Sequence, residues 1–168
     1  MVTDDMPRPR APFEAWPEHW VDPRFGRVWV RPADDERRLL LVNQTTVRHA
    51  TLESVHLLHD VIDRVLARDG AAIRARGGMD FLHDWRSIAG YDSEARKGYL
   101  ARMSRREPGY IAHAIAVVPN TPLVRMAVQT ANVIMALGVG GNFELATDTR
   151  AAMRRFGNDA PSPLWKYG

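Results

Sequence analysis

The sequence predicts an α/β domain: a mixed, mostly parallel five-stranded sheet with four crossover or flanking helices. Three observations predict it. Residues 38–44, 79–83 and 110–118 are nearly continuous apolar runs, the pattern of strands covered on both faces. Helical stretches separate them, with apolar residues recurring every three to four positions. After an initial hairpin, strand and helix alternate strictly, which argues for parallel strands joined by helical crossovers.

Taken in order, residues 1–23 carry Pro7, Pro9, Pro12, Pro17 and Pro23, which forbid a helix and mark an extended arm. Phe13, Trp16 and Trp20 are unusual in a solvated tail, so the arm from about Phe13 is expected to lie on the domain or on a partner chain. Gly26–Pro32 alternates Val28 and Val30 with Trp29 and Arg31, a strand at or near the sheet edge. A charged turn at 33–37 joins it to the strand at 38–44. A helix follows over 51–69, capped by Thr51 and ended by Gly70, with Leu52, Val55, Leu58, Ile62, Val65 and Leu66 on its core face. Residues 71–78 are expected to hold a turn or a short extra strand.

The strand 79–83 delivers Asp84 to its carboxyl end. Residues 85–91 form a loop with Gly90 as its flexible point, and Asp92 is placed to cap the next helix. Tyr91, Ala95, Tyr99 and Met103 repeat every four residues and make one buried face. Pro108 marks a break before the strand at 110–118. Thr121 and Pro122 open a helix over 122–137, and the glycines of 138–141 connect it to a last strand at 142–147. Asp148 caps a final helix running to about Phe156. The resulting organisation is an arm at 1–23, one α/β domain at 24–157, and a tail at 158–168 containing Trp165 and Tyr167.

Composition narrows the function classes. The 168 residues suit a single domain with a real core, and 45% apolar with 26% charged is ordinary for a soluble protein. The net charge of +3, from 23 basic and 20 acidic residues, is spread along the chain rather than gathered into a nucleic-acid footprint. No cysteine is present, so disulfides, thiolate metal sites and thiol nucleophiles are excluded. The first residues lack an apolar signal region, and no apolar run reaches the ~20 residues that span a bilayer. A cytoplasmic protein without stable membrane insertion is expected.

Few residues suggest chemistry. His56, His59, Asp60 and Asp63 are expected on the exposed arc of the first helix. One-turn spacing makes metal ligation geometrically open, but two surface charge pairs are the preferred reading, so no metal and no cofactor is expected. No serine sits in a nucleophile elbow, and no glycine-rich phosphate motif is present. Asp84 and Asp92 would face each other across the loop as an acid–base pair, were Asp92 not needed as a cap and Arg86 not at hand to neutralise either. Ser87 and Ser93, near a helix N-terminus, are positions where a phosphate would meet the positive end of the helix dipole.

The helix 122–137 is apolar almost all round, through Leu123, Val124, Met126, Val128, Val133, Ile134 and Met135, with Arg125, Gln129 and Asn132 as a narrow polar strip. One sheet face cannot cover so much. A two-fold contact between two chains, with Val128 and Met135 outermost, is the expected cover. Trp16 and Trp20 folding back onto the helix is the competing one.

With this order of elements, the chain resembles the STAS domain fold of anti-sigma-factor antagonists, and more closely the SpoIIAA-like proteins of bacteria. The resemblance is carried by Asp84-Trp85-Arg86, the run from Gly90 to Arg96, Arg125-Met126-Ala127, Phe143, Asp148 and Ala151–Ala152, and covers about residues 26–156. STAS antagonists place a phosphorylatable serine in an Asp-Ser-Ser-Gly-like turn here. In this chain the turn reads HDWRSIAGYDS, leaving Ser87 and Ser93 as positional candidates. With this fold, the preferred reading is a non-enzymatic signalling or scaffolding module that acts by protein–protein contact and, through the apolar helix 122–137, self-associates as a dimer. Its recognition residues would be Asp84, Trp85, Arg86, Tyr91 and Asp92 of the loop, with Val128 and Met135 of the helix. The same general fold includes lipid-carrying CRAL-TRIO-like domains. The alternative is therefore a carrier holding a small apolar or lipid ligand near Trp85, Tyr91, Tyr99 and Met126. An enzyme using Asp84 with a histidine is a third reading.

Overall fold

A computed structural model of the chain describes residues 13, 16, 18–33, 38–119, 121–122 and 142–156. Beyond its first residue, Pro122, the expected helix at 122–137, with Met126, Val128 and Met135, lies outside the described residues, as does the tail at 158–168.

The described chain runs β1 (Glu18–Asp22), β2 (Gly26–Pro32), β3 (Leu39–Thr45), β4 (His49–Ala50), α1 (Leu52–Ala75), β5 (Met79–Asp84), β6 (Gly90–Tyr91), α2 (Ser93–Ser104), β7 (Ile111–Val117), β8 (Asn142–Ala146) and α3 (Thr149–Arg155). The main sheet has the order β1-β2-β3-β5-β7-β8. β1, β2 and β3 pair antiparallel, and β3, β5, β7 and β8 pair parallel. The three apolar runs are the three central strands, as their continuity requires: every residue of β5 is buried, and so are the first five of β3. β4 and β6 form a separate parallel pair.

The sheet therefore has six strands rather than the five expected. The additional one, β1, comes from the segment assigned to the arm, so the folded unit begins before residue 24. Pro17 and Pro23 flank this strand instead of interrupting it. Asp22-Pro23-Arg24-Phe25 is a tight turn with Asp first and Pro second, closed by the Phe25 N–H on the Asp22 carbonyl at 3.0 Å. The strand pairs Trp20 with Val28. β1 is thus the edge and β2 stands one place in.

Side chains alternate between two cores. Val28, Val30, Leu39, Leu41 and Phe81 meet Leu58, Val61, Ile62 and Val65 of α1. Leu40, Val42, Leu82, Ile115 and Val117 meet Ala152, Met153 and Phe156 around α3. Phe13 and Trp16 complete the α1 side. The Trp16 indole donates to Asp69 Oδ2 at 2.8 Å, and the Arg68 guanidinium lies 3.8 Å over the ring. Trp20 packs against the same core, with Arg64 over its ring. These indoles therefore pack on α1.

Thr51 caps α1 as expected: its hydroxyl accepts from the Ser54 N–H, and Ser54 returns a bond to the Thr51 N–H, a reciprocal box. The helix does not stop at Gly70. It continues to Ala75 because Ile73 is fully buried, a gain of about 2 kcal/mol that exceeds the ~1 kcal/mol cost of a helical glycine. Gly77, at φ 78°, is the actual terminator. Its N–H reaches the Arg74 carbonyl while that of Gly78 reaches Ile73, a Schellman closure.

α2 lies against α1 through charge as well as packing. Arg102 bonds Asp60 at 2.6 Å and also Asp63, and Arg106 bonds Asp63 at 2.7 Å. Asp60 and Asp63 are thus held by arginines from the next helix and its C-terminal turn, not by the histidines of their own helix. His59 is not on the exposed arc. It is fully buried, since its position follows Val55 by four and precedes Ile62 by three on the core stripe.

Candidate functional site

The carboxyl ends of the parallel strands, where α/β sheets receive ligands and partners, carry two different clusters, because alternate side chains of β5 point to opposite faces. Asp84 faces one way. Its carboxylate is buried at 2% exposure and is gripped by Arg86, Nε to Oδ1 at 2.9 Å and Nη2 to Oδ2 at 2.8 Å. Gln44 Nε2 donates to Oδ2 at 3.5 Å, and Arg27 donates from Nε and Nη2 to Gln44 Oε1 at 2.8 and 2.6 Å. The Asp84 hydrogen bond is the main cause of the raised pKa of Arg86.

Asp92 takes no part in this chain. It stands at the N-cap of α2, yet its carboxylate accepts no helix N–H, contrary to expectation. The β4–β6 ladder sets its backbone, with the Asp92 N–H on the Ala50 carbonyl at 3.2 Å, and the carboxylate lies 3.8 Å from His49 Nε2. Asp84 and Asp92 therefore serve different partners, and no acid–base pair forms between them. Asp148, by contrast, caps α3 as expected, accepting from the Ala151 N–H at 2.6 Å.

The loop between β5 and α2 is tied down along its length. The Trp85 N–H bonds Val117, Ile88 bonds Trp85, and Ala89 and Gly90 both bond the Arg48 carbonyl. Gly90 is consequently not a hinge. It sits in β6 at a negative φ, and a Cβ there would lie 3.2 Å from His49 Nδ1, so its smallness admits the imidazole. Arg86, Ser87, Asp92 and Ser93 are exposed on this frame, with Trp85 and Tyr91 half-buried.

The second cluster faces α1 and α2. His83 stacks on Trp85 with centroids 4.8 Å apart, Trp85 meets Tyr99 edge-on at 6.2 Å, and Tyr99 meets His59 at 4.8 Å. Burial lowers the pKa of His83 to about 4. Burial, and then the Arg106 cation, lower that of His59 to about 3. Both imidazoles are neutral at ordinary pH. Burial of the Tyr99 phenol moves its pKa upward.

His59, His83, Tyr99 and Phe143 border a cavity of about 10 Å³. That is water-sized, so this cavity is too small for the apolar ligand of the alternative reading. A groove of about 440 Å³ lies at the ends of β7 and β8, between Leu145 and Arg155. Among the described residues no group of three or more His, Asp or Glu is placed to hold a metal, and no helix is long and apolar enough to cross a membrane.

His59, His83 and Arg106 are absent from the site expected from the sequence, which places His59 on the exposed arc of α1. Parity could have found His83, which shares a face with Met79 and Phe81. Arg106 carried no signal, because its partners lie 43 and 47 residues away.

No family model matches this sequence, and no curated protein matches it. Among solved structures, it is similar to an uncharacterised protein of the DUF3478 family from Shewanella loihica PV-4, described as having a SpoIIAA-like fold. The TM-score is 0.57 at 17% identity, covering 77% of this chain and 91% of that one. The chain has a SpoIIAA-like fold, the fold its sequence resembles.

Proposed function

We propose that this protein is a non-enzymatic protein–protein interaction module, signalling or scaffolding in role, that docks a partner on the loop from Asp84 to Asp92. The supporting observation is the loop itself: a half-buried indole and phenol and an exposed guanidinium on a backbone held by main-chain bonds to Arg48, Ala50 and Val117. Trp, Tyr and Arg are the residues in which binding energy concentrates, and a fixed backbone lowers the ordering cost of association. Self-association through the apolar 122–137 segment belongs to the same reading and rests on its sequence.

Two measurements test it. Native mass spectrometry and sedimentation of the purified chain should give a dimer, and Val128→Glu or Met135→Glu should give folded monomers. A wild-type monomer removes the self-association part. Proteins retained by the wild type should be lost on a Trp85→Ala, Arg86→Glu variant with an unchanged circular dichroism spectrum. Equal retention by both would remove the loop as the docking site.

A further inference from the structure

His59 and His83 both line the cavity, and each has one buried nitrogen, His59 Nε2 and His83 Nδ1, with no hydrogen-bond partner on the protein. His59 is fully buried and His83 is 3% exposed, so bulk water does not serve them. Native folds rarely leave such atoms unpaired, and an unpaired one calls for an explanation.

The tautomer of His59 follows from its neighbour. Arg106 Nη1 lies 2.8 Å from His59 Nδ1, and a guanidinium has only donors. His59 Nδ1 is therefore the acceptor, and the proton of the neutral ring is on Nε2. α1 thus offers a buried, unpaired N–H from a residue that lines the cavity. β5 offers His83 Nδ1, an acceptor if that ring carries its proton on Nε2.

A metal ion does not fit this pair. His59 has already committed its lone pair to Arg106. Turning the ring's proton to the other nitrogen would set N–H against N–H at 2.8 Å, beside a fixed positive charge. An apolar guest would leave both nitrogens unpaired, and the volume of about 10 Å³ admits one small molecule only.

We propose that His59 Nε2 and His83 Nδ1 form a binding site for one neutral, donor–acceptor molecule of water size, in practice a single ordered water. The water accepts from His59 and donates to His83, joining α1 to β5 beneath Tyr99 and Phe143. It makes His83 the Nε2–H tautomer and leaves its stacking on Trp85 undisturbed. The loop after β5 is thereby referenced to α1 through a hydrogen-bonded bridge as well as through packing.

The test uses the full chain. A crystal structure at a resolution that orders buried solvent should show one peak within hydrogen-bonding distance of both nitrogens. In solution, nitrogen–proton correlation of the imidazoles should place protons on Nε2 of both rings. The His59 proton should show an Overhauser contact to a long-lived water. A direct His59–His83 hydrogen bond, a dry contact between the rings, or a thermal midpoint raised by added zinc would each overturn the assignment. In a His83→Phe variant the water contact to His59 should vanish. Its persistence there would mean that His83 is not a partner.

Discussion

Arg106 holds His59 twice, donating from Nη1 to the ring Nδ1 at 2.8 Å and from Nη2 to the main-chain carbonyl at 3.1 Å. The same guanidinium bonds Asp63, and its side chain is only 6% exposed. This single side chain, two residues past the end of α2, thus satisfies a buried ring, a helix carbonyl and a carboxylate on α1. Replacing Arg106 by Met keeps most of the apolar stem and removes every donor. The expected loss is about 2–3 kcal/mol, the scale of hydrogen bonds to a charged group, measured by urea unfolding. A loss below about 0.5 kcal/mol, the level of an ordinary surface substitution, would show that Arg106 does not tie the helices.

Acid should unfold the protein through its histidines. In the folded state His59 and His83 stay neutral down to about pH 3 and pH 4, whereas unfolded histidine takes up its proton near pH 6.5. Below that pH the unfolded state binds more protons, so stability is full above pH 6.5 and falls as the pH drops towards 4. Each histidine should contribute a slope of up to about 1.4 kcal/mol per pH unit. Urea midpoints at pH 7, 6 and 5 measure it, and His83→Phe should flatten the curve. An unchanged midpoint over that range would mean that neither ring is buried neutral.

The two aspartates at helix starts should behave differently. Asp148→Ala removes a real cap and should cost about 1 kcal/mol. Asp92→Ala removes a carboxylate that accepts no helix N–H and should cost clearly less. Thermal unfolding of both variants makes the comparison. A larger loss at Asp92 would mean that it caps α2 after all.

Trp16 should matter more than an arm residue ordinarily does. It is 6% exposed, bonded to Asp69 and covered by Arg68. Trp16→Ala should lose about 3–5 kcal/mol, as for a large buried aromatic. Deleting residues 1–22 would strip Phe13, Trp16 and β1 together and should leave a chain that unfolds far more readily. A truncated protein with wild-type stability would show that these residues are peripheral.

Much of the fold was legible because its signals are local. The central strands 39–45, 79–84 and 111–117 announce themselves by unbroken apolar runs, and Thr51 and Asp148 by standing one residue before a helix. β1 was hidden by its flanking prolines, although Asp22-Pro23 is itself a turn signal. Gly70 misled because a local rule for ending helices met a buried Ile73 three residues later.

The candidate site was less legible, and the reason is geometric. The sequence by itself determined that Asp84 arrives at the end of a buried strand and that Arg86, two residues on, can neutralise it. The loop of Trp85 and Tyr91 before an amphipathic helix followed from the same local reading. Only the tertiary structure decided that Asp92 turns to His49, that Gly90 is a spacer for an imidazole rather than a hinge, and that His59 and His83 share one cavity. Each of those depends on chain segments 24 or more residues apart in sequence being brought to within hydrogen-bonding or contact distance. A side chain's local pattern states which face it occupies. What waits on that face is set by the packing of the other elements.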